Sequence, residues 1–402
     1  MSGDERELRP ATLAVHAGES RGATPAGAPT STPVYATTTF TYPSMREMDE
    51  VFSGAREGHV YTRHGNPTVG ALEEAVRALE GGRRAVAFAS GMAALHGALL
   101  ACELRPGARV LASQDLYGAT ATLLEEVFAP FGVETETCDF ADAERLRARV
   151  AELRPRALVA ETISNPLLRV CDLEQVASVA REAGARLVVD NTFATPLLCR
   201  PLSLGADLVV HSATKFLGGH GDATGGVVVA REESDGARLY RAMKLAGGVL
   251  GVWEAHEILR GIKTLAVRLE RQCENARLLA ERLAGHAKVA RVYYPTLETG
   301  GQQRLAARVL GGRAGGALVT VELKEATREA AFRFMDALRL CVRSTSLGDV
   351  FTGVLHPVTA SHRDLAPERR RALGITDGVV RVSVGLEDIR DIAADVLRAL
   401  EA

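Results

Sequence analysis

The sequence predicts an α/β fold with a mostly parallel central sheet, followed by a smaller C-terminal α+β domain. Three observations predict it. From about Thr68 to Val252, short apolar runs alternate with helical patterns, as in a parallel sheet covered by helices. The runs near Val86, Leu187 and Leu208 end abruptly in an acid or a small hydroxyl residue, and ligands of open α/β sheets collect outside such strand ends. After Trp253 a long helical stretch gives way to an alternating strand and further helices.

Taken in order, residues 1–60 lack sustained periodicity and are rich in Gly, Ala, Thr and Pro, as in Gly18 to Pro33. This stretch reads as an extended arm that wraps a neighbouring subunit. Residues 61–252 carry strands around Val86, Val110, Leu158, Leu187, Leu208 and Gly226–Val229 and form the cofactor domain. Residues 253–402 form the smaller domain: a long helix over Trp253 to Leu283, a strand over Ala317 to Leu323, a helix near Thr327 to Leu338 and a final helix from Asp388. Arg369–Arg371 reads as a solvated helix face, because acids lie close by.

With 402 residues, the chain exceeds the usual size of one core, so two or more domains are expected. A formal net charge of −2 gives no nucleic-acid or anionic-membrane signature. No apolar stretch approaches a membrane span and Met1 to Pro10 has no apolar signal core, so a cytoplasmic protein is expected. The six cysteines include no CxxC pair, which suggests neither a metal site nor a disulfide framework. Most of them read as small buried hydrophobes.

The segment Val209-Val210-His211-Ser212-Ala213-Thr214-Lys215 carries the most chemistry. An apolar strand empties into hydroxyls and a lysine, then into the Gly-rich run Phe216 to Gly221. Ser212 and Thr214 suit a phosphate, and Lys215 suits a Schiff base to an aldehyde cofactor. On this segment alone an ordinary exposed lysine reads equally well. Upstream, the strand Ala185 to Val189 delivers Asp190, and a carboxylate there would keep a pyridine nitrogen protonated. Asp190 would also serve as a helix cap before Thr192. In a third segment the strand Ala85 to Ala89 breaks at Ser90-Gly91 into a helix with Met92 in its first turn, where backbone amides and the helix dipole favour an anion. Such a turn is frequent in ordinary α/β proteins.

With these segments in order, the chain resembles the Cys/Met-metabolism family of pyridoxal-phosphate enzymes, which includes cystathionine γ-synthase, cystathionine γ-lyase, methionine γ-lyase and O-acylhomoserine sulfhydrylase. The resemblance runs through Thr32–Tyr35, Tyr61–Thr68, Ser90–Met92, Asp115–Gly118, Glu161–Pro166, Asp190–Thr192, His211–Lys215, Gly219–Asp222, Arg260–Leu265, Ser346–Gly348 and Arg381–Glu387. It implies a fold-type I, aminotransferase-like enzyme that binds pyridoxal 5'-phosphate and acts on a small amino acid. It also implies a homotetramer built from dimers with shared active sites.

Residue by residue, the resemblance implies that Lys215 carries the cofactor and moves protons, that Asp190 pairs with the ring nitrogen and that Tyr117 stacks on the ring. Ser90, Gly91, Met92, Ser212 and Thr214 would hold the phosphate, with Tyr61 and Arg63 reaching it from a neighbouring subunit. Asn165 would contact the 3-oxygen side. Arg381 would clamp the substrate carboxylate, beside Ser346. Away from this family, Arg381 reads as a surface arginine and Tyr61 as a packing tyrosine.

The distal end departs from common family patterns. Where cystathionine-handling members often carry an arginine, this chain has Ala119 to Thr122, and where many carry a glutamate it has Phe351. A charged distal group therefore loses its partners, and an apolar tail fits better. The cysteine typical of dedicated methionine γ-lyases is replaced by Ala119, so neither specialist pattern is complete. Gly251-Val252-Trp253 and Val358 to Ser361 also depart from family patterns; Trp253 and Phe351 read equally as specificity or core-packing residues. Together these features predict a C–S lyase acting by γ-elimination, with γ-replacement as the alternative.

Overall fold

The computed structural model describes residues 8–19, 27–312 and 315–402. Strands β1 (Arg84–Phe88), β2 (Arg109–Ser113), β3 (Glu134–Cys138), β4 (Ala157–Glu161), β5 (Arg186–Asp190), β6 (Leu208–Ser212) and β7 (Gly226–Ala230) form one sheet in the order β1-β7-β6-β5-β4-β2-β3. The pairs from β3 through β2, β4 and β5 to β6 are parallel. β7 inserts antiparallel between β6 and β1. The sheet is thus mostly parallel, but Gly226–Ala230, read above as one more strand of that pattern, runs against the rest. The connection from β6, residues 213–225, carries the lysine-bearing turn and no helix to cross the sheet, so the chain returns antiparallel.

These strands read as unbroken apolar runs because both faces are covered. On β5 Leu187 and Val189 enter one core while Val188 enters the other, and on β6 Val209 opposes Leu208 and Val210 in the same way. Helices Gly91–Ala101 and Glu233–Ala246 supply Leu95, Leu99 and Leu239 to one face. Helices Pro67–Glu80 and Val252–Ile262 supply Leu72, Val76 and Ile258 to the other. Leu187 and Leu72 are both fully buried, and truncating such a leucine to alanine costs about 2–5 kcal/mol.

The smaller sheet comprises β8 (Val289–Tyr293), β9 (Leu318–Leu323), β10 (Val342–Arg343), β11 (Gly353–Leu355) and β12 (Val379–Ser383), ordered β10-β11-β12-β9-β8. Helices Leu265–Leu283, Arg328–Ala337 and Ile389–Leu400 pack on it through Leu279, Phe334 and Val396.

Two local expectations change. The helix expected over Trp253 to Leu283 is two helices, Val252–Ile262 and Leu265–Leu283. Arg268 explains the break: its buried guanidinium donates to the carbonyls of Phe216 at 3.0 Å and Gly261 at 2.7 Å, binding the helix end to the loop after Lys215. Gly261 is required there, since a Cβ would stand 2.1 Å from the Gly218 oxygen. The first 60 residues are not wholly extended, because Pro10–His16 and Met45–Phe52 are helical. Ala14 is buried in the main core. The expected arm from Gly18 to Pro33 lies partly outside the described residues.

Within Pro367–Ala372, Arg369 and Arg371 pair with Glu125 and Glu368 as a solvated face would. Arg370 instead donates to the Leu365 carbonyl at 2.7 Å. Among the described residues no helix is long and apolar enough to cross a membrane.

Candidate active site

The C-terminal ends of β1, β4, β5 and β6 converge on a cavity of about 490 Å³ whose lining includes Ser90, Gly91, Glu161, Asp190, Ser212, Thr214, Lys215 and Arg381. Parallel strands make this convergence inevitable, because every loop leaving a carboxyl end opens on the same edge. A larger cleft of about 670 Å³ lies across Glu161. Two of its arginines face acids, Arg308 2.5 Å from Asp172 and Arg169 3.3 Å from Asp115.

Lys215 sits in the turn that follows β6, its N–H donating to the Ser212 carbonyl at 3.1 Å. Its Nζ donates to Ser346 Oγ at 3.1 Å. Burial is the main force lowering its proton affinity below that of an ordinary lysine; Arg381 acts in the same direction and Asp349 opposes. A partly desolvated amine of this kind reaches its basic form closer to neutral pH.

Asp190 ends β5, and its Oδ1 accepts the N–H of Thr192 at 2.9 Å. The capping role and the site role therefore coexist. Burial pushes its carboxyl up, and Thr192 and His211 pull it part of the way back. Behind it, Glu80 Oε1 stands 2.7 Å from His211 Nε2 and accepts from Asn191 Nδ2 at 2.9 Å.

Ser90 caps helix Gly91–Ala101 by accepting the Ala93 N–H at 3.1 Å. The first-turn N–H groups of Gly91 and Met92 have no partner within the helix. A Cβ at Gly91 would stand 2.7 Å from Ser212 Cβ, so glycine is what lets the helix end meet Ser212. Thr214 is less free than expected: its hydroxyl exchanges hydrogen bonds with the N–H and carbonyl of Gly225 at 3.0 and 3.2 Å.

Arg381 comes from β12 of the smaller sheet and is 2 % exposed. Nη1 donates to Asn165 Oδ1 at 2.8 Å, Nη2 reaches the Ser346 carbonyl at 3.4 Å, and Nε is buried without a partner among the described residues. Burial makes its charge costly, with Tyr117 opposing. A buried guanidinium with a donor to spare fits an incoming carboxylate. His362, pushed down to about 4 by burial and then by Arg381, stays neutral beside it. Tyr117 lines the cavity mouth, its N–H donating to Glu161 at 2.5 Å. Burial, then Asp190, push Glu161 well above the usual carboxylate range.

Four expected site residues lie outside this lining, Ser346 among them although its hydroxyl meets the lysine amine. Tyr61 is 40 % exposed. Arg63 stacks on the Tyr61 ring at 5.4 Å and donates to the Lys244 carbonyl at 3.1 Å. Phe351 is half-buried in the loop before β11 and is not part of the cavity wall. Trp253 is 62 % exposed, so it is not a core residue of this chain. Conversely, Phe193 and Thr345 line the cavity without having been singled out, and Thr120 and Ser361 line it from two segments read only as departures from family patterns. Phe193 and Thr345 each adjoin a segment that was singled out, but no local pattern distinguishes such residues from loop filler.

A family model for Cys/Met metabolism PLP-dependent enzymes matches residues 11–401. The chain belongs to this family. It is 44 % identical over 371 residues to an L-methionine gamma-lyase of Pseudomonas putida, covering 92 % of each chain. To an O-succinylhomoserine sulfhydrylase of Pseudomonas aeruginosa it is 40 % identical, over 97 % of this chain and 95 % of the other. The fold matches a crystal structure of cystathionine gamma synthase from Xanthomonas oryzae pv. oryzae, in complex with aminoacrylate and cysteine, with a TM-score of 0.91, 36 % identity and 98 % coverage of both chains.

As a member of this family the protein is a pyridoxal-phosphate enzyme with the fold-type I architecture, and its cavity fits that cofactor. Free helix-end amides and the Ser212 hydroxyl suit the phosphate. The buried Asp190 suits a cationic ring nitrogen, and Lys215 follows β6, the strand beside the one that ends in Asp190.

Proposed function

We propose that this enzyme is a C–S lyase that performs γ-elimination on a methionine- or cystathionine-like amino acid. Methionine and water would give a thiol, 2-oxobutyrate and ammonia. One observation carries the preference for an uncharged tail: among the described residues, Lys215 and Arg381 are the only lysine and arginine lining the cavity. A substrate tail with its own carboxylate would enter without a partner, at a cost of several kcal/mol.

Bound here, pyridoxal phosphate supplies the electron sink that stabilises negative charge at the substrate Cα. The chain's own residues do the rest. Arg381, held by Asn165, grips the α-carboxylate and fixes which Cα bond faces the lysine, while Asn165 contacts the cofactor's 3-oxygen side. Lys215 Nζ, resting on Ser346 Oγ, removes the Cα proton and carries it. Tyr117, at the cavity mouth, is placed to assist at Cβ and at the leaving sulfur. Asp190 holds the ring nitrogen in its protonated form. Ser90, Gly91, Met92, Ser212 and Thr214 anchor the phosphate, Thr214 by exchanging its Gly225 carbonyl.

Tyr61 and Arg63, outside the cavity wall of their own chain, complete the phosphate site of a second copy. The assembly is then a homotetramer built from two such dimers, in the cytoplasm. Residues 1–60 serve as the inter-subunit arm, 61–252 as the cofactor domain and 253–402 as the smaller domain. Phe351, outside the wall of its own chain, affects the substrate tail only through such an assembly.

The similarity to an O-succinylhomoserine sulfhydrylase favours γ-replacement as a second reading, since both reactions use the same residues. The test is a product assay of cofactor-loaded protein with L-methionine, L-cystathionine and O-acylhomoserines, each with and without added thiol. Release of 2-oxobutyrate and ammonia from methionine without an acceptor supports the lyase. Product formed only from an activated homoserine plus thiol replaces it with the transferase.

A further inference from the structure

Gly348 and Asp349 follow closely on Ser346, which holds the amine of Lys215. A Cβ at Gly348 would stand 2.6 Å from the Phe216 nitrogen and 3.0 Å from the Lys215 carbonyl carbon, so this segment lies against the lysine's own backbone. It is pinned on both sides. The Gly348 N–H donates to Ser383 Oγ at 2.8 Å, and Gln272 Nε2 donates to the Asp349 carbonyl at 2.8 Å.

The Asp349 side chain is anomalous in this setting. The residue is 3 % exposed, and its Oδ1 is buried with no hydrogen-bond partner among the described residues. Buried carboxylates are ordinarily paired, because an unpaired one carries the full desolvation cost. Arg268 does not relieve it, as its donors go to Phe216, Leu217, Gly261 and Thr264. On the other side lies Gly221, where a Cβ would be 3.4 Å from Oδ1. The charged groups acting on Asp349 are Lys215, His220 and Arg268, which favour its ionised form, and Asp222, which opposes it. Those acting on Lys215 are Arg381 from the cavity and Asp349 from behind. Packing alone would be served better by an uncharged side chain.

We propose that Asp349 is a positioning residue for Lys215, its unpartnered carboxylate favouring the proton-bearing amine so that a proton taken from substrate is kept until it is passed on. This rests on the reading of Lys215 as the proton carrier. Burial and Arg381 both work against a charged amine, and Asp349 is the nearby group that works for it. The proton balance is simple: the amine gains one proton from Cα and would give up the same one to the cofactor's aldehyde carbon, which leaves it free to take a second from Cβ as the sulfur departs from Cγ.

The experiment measures acetylation of Lys215 by acetic anhydride across pH in the cofactor-free full chain, read by peptide mass spectrometry, for wild type, Asp349→Asn and Asp349→Gly. Thermal unfolding and the pH profile of kcat are recorded alongside. The half-point of labelling is expected to fall by about one pH unit in both variants, the acid limb of kcat moving with it and the thermal midpoint holding or rising. An unmoved half-point overturns the proposal. So does loss of folded protein in both variants, which would make the carboxylate structural. If wild type with pyridoxal phosphate and borohydride shows no pyridoxyl group on Lys215, the underlying reading fails, and the role of Asp349 fails with it.

Discussion

Arg381 Nη1 donates a 2.8 Å hydrogen bond to Asn165 Oδ1 across 216 residues of sequence. Arg381 stands on β12 of the smaller sheet and Asn165 in the loop after β4, so this bond ties the two sheets together at the cavity. The Ser346 carbonyl holds the guanidinium at Nη2 as well, at 3.4 Å, and its Nε remains without a partner among the described residues.

Replacing Arg381 with lysine keeps a charge but loses the planar fork. We expect kcat/KM for the amino-acid substrate to fall about a hundredfold or more, chiefly through KM. Steady-state kinetics check this; an unchanged KM would place the carboxylate elsewhere.

Lys215→Ala removes the attachment point. After incubation with pyridoxal phosphate and borohydride reduction, wild type should gain one pyridoxyl group on the peptide holding Lys215. The variant should gain none there by mass spectrometry, and its turnover should be lost.

Glu80 and His211 form a pair whose side chains are 0 % and 1 % exposed, at 2.7 Å. Glu80→Leu strands the His211 ring in the core and removes one of the two acceptors of the Asn191 amide, which keeps the Cys199 carbonyl. It should lower stability by about 3–5 kcal/mol, seen as a lower urea midpoint. The pair His286–Glu401, with Glu401 64 % exposed at 3.5 Å, is the control. Its removal should cost no more than about 1 kcal/mol.

Asp395 offers a pH test. Burial pushes this carboxyl up, but the N–H groups of Cys341, Arg339 and Leu340 and the Arg398 side chain outweigh it and hold it at about 2. A carboxyl lowered from the ordinary 3.8 adds stability that is fully present above that value and is lost as pH falls through about 2. Asp395→Asn should therefore be less stable than wild type at neutral pH, with the gap closing as pH drops from about 4 toward 2. Thermal unfolding at several pH values measures this; a constant gap would count against it.

Much of the site was legible because its chemistry sits at strand ends. The runs ending in Ser90, Asp190 and Ser212 announce themselves by the switch from apolar to polar, and Lys215 follows the last of these. Arg381 was legible only through resemblance to a family, since an arginine within Val379 to Val384 looks like any strand residue until the smaller sheet turns it inward. Asp349 gave no signal at all. Nothing local marks an acid after Ser346-Leu347-Gly348 as buried and unpartnered; the packing of Gly348 on the lysine loop makes it so.

The sequence by itself determined the alternation of strands and helices, the parallel direction of most strands, the lysine-bearing loop and the family. These follow from periodicity and from short motifs, which act over a few residues. Tertiary structure alone decided that β7 runs antiparallel, that the helix expected from Trp253 breaks at Lys263–Thr264 so that Arg268 can bind the loop after Lys215, and that Phe351 and Trp253 stand outside the cavity. Those outcomes depend on which distant groups meet. A buried donor must find its acceptor and a buried charge its partner, and that requirement is met in three dimensions among residues that may lie two hundred positions apart.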